Sequence, residues 1–215
     1  MDAESFYARI ATALGGPSPA LHLPPPRARA LPATVSVPQR RVWAAAAAER
    51  LRSVGGSAEV VLRSNLAQRV QELIGESSVV RVAEHLLPSE ILPVLAHATV
   101  CSIVEPVAWR EACAAATWGV TDANAWIAET GSVLLCAQRD RPRATSLLPR
   151  HHLVVVPMDR VIASLDEALD AMADTPSQWL LVTGPSRTSD IENDLTIGVH
   201  GPAVLHVLVV DEETA

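Results

Sequence analysis

Lysine is absent from this 215-residue chain, and all 17 basic residues are arginine. Without it there is no Schiff-base amine, no pyridoxal-phosphate anchor, no phosphate-loop lysine and no lysine general base. Aromatic residues are almost as scarce, with one Phe and one Tyr. That leaves little for the stacking of single-stranded nucleic acid. Positive charge is in deficit, and a net charge of −7 disfavours nucleic acid or an acidic membrane as partner. The three cysteines, Cys101, Cys113 and Cys136, are far apart and form no CxxC pair. They cannot offer four thiolates to an iron–sulfur cluster or a zinc ion, and the expectation is buried free thiols in a reducing cytoplasm. The uncharged run Ile91 to Val104 is too short to span a bilayer and contains Pro93 and His97. The acidic start Met1-Asp2-Ala3-Glu4 is unlike a secretory leader. A cytoplasmic protein with no membrane span and no cofactor is expected. HExxH and EF-hand patterns are missing, and the adjacent His151 and His152 point to opposite faces of a strand, so no metal is expected either. No GxSxG elbow is present.

What is present is apolar: 49% of the residues, enough to bury a substantial core. Phe6, Ile10 and Leu14 have helical spacing, and Gly15 to Pro38 then holds seven prolines, including Pro24-Pro25-Pro26. This reads as a short helix and an extended arm over 1–38, suited to packing on another copy of the chain, followed by a domain over 39–215. In that domain Gln39–Arg52 is an Ala-rich helix stopped by Gly55-Gly56, and Ser64 caps a helix running to Ile74. Further helices are expected over Ser89–Ala96, Pro106–Trp118, from Ser164 to Met172 and over Ser189–Leu195, with a helical turn at Asp122–Ile127. Strands are expected at Ala58–Leu62, Val79–Val82, Ser132–Ala137, Leu153–Val156, Trp179–Thr183 and Leu205–Val210. Apolar strands alternating with helices imply an α/β fold whose sheet is buried on both faces. The five tryptophans are expected in the core.

Three segments carry candidate chemistry. The richest is Thr183-Gly184-Pro185-Ser186-Arg187-Thr188-Ser189-Asp190, where a strand runs through a Gly turn toward a helix start. Free N–H groups there would favour an anion, and Arg187 would clamp a carboxylate or phosphate; helix capping with a local ion pair is the competing reading. The second is Gly198-Val199-His200-Gly201-Pro202, a constrained turn that places His200 as an acid or base, or simply as a turn residue. The third is Ala128-Glu129-Thr130-Gly131, where a carboxylate buried at a sheet edge suits proton or acyl transfer, and a solvated loop residue is the alternative. Glu129 and His200 are therefore the candidate catalytic residues. Thr130, Gly131, Gly184, Ser186, Arg187, Thr188, Asp190 and Gly201 are the candidate ligand-binding residues.

Taken in order, Gly119-Val120-Thr121, Ala128-Glu129-Thr130-Gly131, Leu147-Leu148-Pro149, Thr183 to Glu192 and Gly198 to Pro202 resemble the lactate-utilisation domain family, in its short, cysteine-poor C type. The resemblance covers about 39–211. It implies a Rossmann-like three-layer α/β/α sandwich, similar to the sugar-phosphate isomerase and coenzyme A transferase fold. It also implies a non-redox subunit of a bacterial system oxidising L-lactate to pyruvate, with iron–sulfur and other subunits as partners and a small organic or phosphorylated anion as ligand. The alternative is a self-sufficient isomerase or transferase with Glu129 as base or nucleophile, Arg187 as clamp and His200 as proton donor.

Overall fold

The structure is a computed structural model, and it describes residues 35–101, 106–170, 178–189 and 195–212, together with Ser5, Ala8, Arg9, Thr12 and Ala13. The chain divides into two units, Met1–Leu31 and Pro32–Ala215. In the first, the five described residues are helical, and the Thr12 hydroxyl donates to the Ala8 carbonyl at 2.9 Å. The proline-rich segment over 14–34 and Asp190 lie outside the described residues.

The second unit opens with helix α1, Val37–Ser53. Ser36 caps it, accepting from the Gln39 N–H, and Arg50 and Arg52 sit at its negative end. Its Ala44, Ala47 and Leu51 form the buried stripe. Gly55 then adopts φ 84°, a left-handed conformation that ends the helix at low cost. The further helices are α2 (Leu66–Ile74), α3 (Pro106–Ala115), α4 (Ala144–Leu147) and α5 (Leu165–Asp170). The strands are β1 (Ser57–Leu62), β2 (Val79–Arg81), β3 (Thr99–Val100), β4 (Trp118–Asp122), β5 (Ala125–Ile127) and β6 (Val133–Ala137). They continue with β7 (His151–Pro157), β8 (Val161–Ile162), β9 (Gln178–Val182), β10 (Arg187–Ser189), β11 (Leu195–Ile197) and β12 (Val204–Asp211).

Six strands form a parallel central sheet in the order β1-β12-β7-β4-β2-β3. Strand β7 shows why its sequence is apolar along the whole run from Leu153 to Val156. Leu153 and Val155 face a core built with Leu66, Val70 and Ile74 of α2, whereas Val154 and Val156 face α1. The protein is therefore α/β with a parallel central sheet. On the α1 side, part of the covering layer is a second sheet, β8-β5-β6-β9, in which β6 runs antiparallel to both neighbours.

Several local expectations are corrected. Asp122–Ile127 is not a helical turn: Asp122 ends β4, and Trp126 and Ile127 are fully buried in the second sheet. Ser89–Ala96 is not a regular helix: the tight turn Ser89–Ile91 runs into further turns, with the Leu95 N–H donating to the Ile91 carbonyl at 3.0 Å, and Pro93 has no N–H to continue a helical ladder. Asn65, not Ser64, precedes α2. Ser189 and Leu195 face each other across an antiparallel ladder, so both ends of the expected 189–195 helix are strand. Trp109, Trp118 and Trp126 are buried as expected, but Trp179 lies 43% exposed on the edge strand β9.

Candidate functional site

The three expected segments do converge. The Thr130 hydroxyl donates to Ser132 at 2.8 Å, and the Ser132 hydroxyl shares a 2.8 Å bond with Thr183. The Ser186 N–H donates to the Pro202 carbonyl at 2.8 Å, and the Gly198 N–H donates to the Ser186 carbonyl at 2.9 Å. The 129–132 turn, the 183–188 strand and loop, and the 198–202 turn are thus tied together around the end of α1. Gly131, at φ 72°, approaches so closely that a Cβ would lie 2.7 Å from the Leu51 nitrogen. Gly184 sits against Val54 in the same way, and a Cβ on Gly201 would lie 3.3 Å from the Ser186 Cβ.

This cluster lies at the amino ends of the central strands. The Ala203 N–H, just before β12, donates at 2.8 Å to the carbonyl of Arg150, just before β7. Open parallel sheets bind ligands at the opposite, carboxyl ends. Strand β9 does lead into the Gly184 loop, but it belongs to the second sheet, and its direction says nothing of the central one. Arg187 donates to the Val54 carbonyl at the end of α1, and Thr188 pairs with Thr196 within a hairpin. Glu129 is exposed, contrary to the expected burial, because it occupies the tip of the β5–β6 turn; Thr130 and His200 are exposed as well.

The carboxyl ends of the central sheet hold a different constellation. From β2 the chain leaves toward β3, and from β4 it leaves toward β7, which makes the β2/β4 boundary the topological switch point. Beside it Asp122 is fully buried. Arg141 grips its carboxylate through Nε at 2.6 Å and through Nη2. The remaining nitrogen, Nη1, donates to Asn124 Oδ1 at 2.5 Å and to the Cys136 carbonyl at 3.3 Å. Arg160 adds a 3.2 Å contact to Asp122 and a 2.6 Å bond to the Ala123 carbonyl. All three guanidinium nitrogens of Arg141 are thereby engaged, so it shapes the site rather than holding a ligand.

A cleft of about 200 Å³, mouth included, opens next to this pair, lined by Thr121, Cys136, Arg141, Arg143 and Ser146 among others. Arg143 is exposed at its edge and spends one bond, 2.7 Å long, on Gln178. The Ser146 hydroxyl donates to the Arg143 carbonyl at 3.0 Å, and the buried hydroxyl of the adjacent Thr145 has no partner. Behind Thr121, whose hydroxyl is 2.9 Å from Nε2, lies His152. Complete burial pushes the His152 pKa down to about 3, so the imidazole is neutral at physiological pH. Close packing under the cleft depends on Gly119, where a Cβ would lie 2.0 Å from the Thr145 carbonyl. Thr121, Arg141, Arg143, Ser146 and His152 were not among the residues expected from sequence. The signal for them is the arginine-dense run Arg139 to Arg143 and the Gly119-Val120-Thr121 motif.

The thiols are buried as expected. Burial pushes the pKa of all three upward, that of Cys113 to about 12, and Cys101 donates to the Asp140 carbonyl at 3.0 Å. Among the described residues, no cluster of three His, Cys, Asp or Glu side chains has the arrangement of a metal site. No helix there is long and apolar enough to cross a membrane.

A parallel α/β sheet with a small cleft at its carboxyl ends defines the general class. More specifically, residues 44–210 match the LUD domain, and the chain belongs to that family. It is similar to lactate utilization protein C of Bacillus licheniformis, 38% identical over 101 residues, which are 44% of this chain and 42% of that one. The counterpart from Oceanobacillus iheyensis is 34% identical over 100 residues, 43% of each chain. The chain thus spans less than half the length of these curated relatives. Its fold resembles the crystal structure of a DUF162 family protein from Deinococcus radiodurans, with a TM-score of 0.60 and 23% identity, over 82% of this chain and 99% of that one.

Proposed function

We propose that this protein is a non-redox component of a lactate-utilisation system, binding a small carboxylate such as lactate or pyruvate in the carboxyl-end cleft. The observation that carries the reading is Arg143, an exposed guanidinium at the edge of a cleft containing the Thr121 and Ser146 hydroxyls. A guanidinium pairs with the carboxylate of a three-carbon acid, and hydroxyl oxygens beside it can accept from a 2-hydroxyl group. The enclosed part of the cleft is about 10 Å³, room for about one water molecule, so the carboxylate alone would enter it and the rest of the acid would lie in the open mouth beside Arg143. The names of the curated relatives supply the pathway. Three buried, protonated thiols, none beside another in sequence, fit a subunit that leaves electron transfer to iron–sulfur partners.

The isomerase or transferase alternative asks Glu129 to act as a desolvated base and Arg187 to clamp an anion. Glu129 is exposed, not desolvated, and since Arg143 and Arg187 each make one bond, it is the place of the cleft at the carboxyl ends of the central sheet that favours it. The test is genetic: removing the chain from its source cell abolishes growth on L-lactate, and an Arg143→Ala version does not restore it. Undiminished growth without the chain would refute the reading.

A further inference from the structure

At the edge strand β1, away from the cleft, lies a polar array that the carboxylate-binding role does not use. Ser57 opens β1 and stands beside His206 of β12 in parallel register. The Ser57 hydroxyl is 2.6 Å from His206 Nδ1, and His206 Nε2 is 2.9 Å from Glu59 Oε1. Glu59 in turn accepts from Arg69 Nε at 2.7 Å, and Arg69 also pairs with Glu72 at 2.9 Å. The His206 side chain is 12% exposed, and Ser57 and Glu59 are half-buried.

These contacts fix the protons. Burial raises the pKa of Glu59, but the hydrogen bonds from Arg69 and His206 outweigh it and leave the carboxyl below its ordinary value. Glu59 is therefore ionised at neutral pH and only accepts hydrogen bonds, so Nε2 must carry the ring proton that points at it. Burial lowers the His206 pKa against the opposing pull of Glu59, and the ring is neutral. Its Nδ1 then bears a lone pair, facing Ser57. The one other acceptor near that hydroxyl, the Leu205 carbonyl, is at 3.4 Å, much the weaker partner. A serine hydroxyl donating to a neutral imidazole that is oriented by a carboxylate is the arrangement that activates serine as a nucleophile. Among the described residues, strand β1 is the edge of the sheet and no further strand covers the outer flank of Ser57.

We propose that Ser57, His206 and Glu59 form a nucleophilic triad that transfers acyl groups from small esters to water. The Ser57 oxygen forms a bond to the ester carbonyl carbon, and the Ser57 proton passes to His206 Nδ1. The bond from that carbon to the alcohol oxygen breaks, and the alcohol leaves with the proton. Water then attacks the acylated Ser57, giving a carboxylic acid and regenerating the hydroxyl. Glu59 is a positioning residue that holds the imidazole tautomer.

The test uses the full chain and a fluorophosphonate, which forms a stable phosphonyl ester with an activated serine and releases fluoride. Mass spectrometry is expected to find one adduct, on the peptide carrying Ser57, and none in Ser57→Ala. His206→Gln is expected to slow labelling at least about 100-fold, the size of a lost general base. Glu59→Gln is expected to slow it less and to displace its pH profile, which a merely structural contact would not do. Hydrolysis of p-nitrophenyl acetate should follow the same order. A Ser57→Cys variant gives an independent reading if His206→Gln unfolds: its new thiol should alkylate with iodoacetamide faster than the three buried native ones. An unlabelled Ser57 in the folded protein, a labelling rate unchanged in folded His206→Gln, or an unreactive Ser57→Cys thiol would overturn the proposal.

Discussion

Arg187 donates a hydrogen bond to the carbonyl of Val54, which ends α1 and lies 133 positions earlier in the chain. The bond closes an orphan carbonyl at the negative end of a helix, where a guanidinium is favoured. Arg187→Ala should therefore lower stability by about 1 kcal/mol, the size of one lost hydrogen bond, and leave carboxylate affinity unchanged. Urea unfolding and titration calorimetry on the same variant check both halves.

The Asp122–Arg141 pair sets a larger effect. Both side chains are almost wholly buried, at 1% and 7% exposed. Arg141→Met leaves a carboxylate in the interior with only the half-exposed Arg160 beside it, and should cost about 3–5 kcal/mol. The double variant Arg141→Met, Asp122→Leu should recover much of that loss, because it buries no uncompensated charge. A double-mutant cycle by chemical unfolding measures the difference.

His152 makes stability depend on pH. Its folded pKa, about 3, lies below the 6.5 of an unperturbed histidine, so the unfolded chain binds a proton that the fold refuses. The contribution is complete above pH 6.5 and is lost as the pH falls toward 3, at a slope approaching about 1.4 kcal/mol per pH unit. Burial lowers the pKa of His151 and His206 as well, and these act in the same direction. His152→Asn should accordingly remove one proton's worth of slope between about pH 6.5 and 5, not all of it. Unfolding free energy measured across that range tests the point.

Gly119 is required by contact, since its Cα meets the backbone of α4 across β4. Gly119→Ala would drive a methyl group to 2.0 Å from the Thr145 carbonyl oxygen. Overpacking against backbone cannot be relieved by a rotamer change, and a loss of about 3 kcal/mol or more is expected. Melting curves should show it, together with loss of carboxylate binding as α4 shifts.

The central sheet was legible in the sequence because its strands are buried on both faces, which leaves unbroken apolar runs such as Leu153 to Val156. Helix α1 was legible through its alanines and through Gly55-Gly56. Ser189 to Glu192 has the spacing of a capping box, but the antiparallel pairing of Ser189 with Leu195 satisfies the same backbone in another way. The candidate site was less legible. Burial of Asp122 is decided by a partner 19 positions away, and Arg187 is bonded to a carbonyl 133 positions earlier in the chain. Side-chain chemistry named the arginines; which of them is free is a property of the fold.

Titration calorimetry of lactate and pyruvate into the intact chain, its Arg143→Ala variant and its Arg187→Ala variant tests the central claim most directly. Both acids are expected to bind the intact chain, and Arg187→Ala is expected to bind them as the parent does. Arg143→Ala should weaken them by about tenfold or more, corresponding to at least about 1.4 kcal/mol. Binding lost in Arg187→Ala but retained in Arg143→Ala would contradict the cleft and return the ligand to the amino end of the sheet.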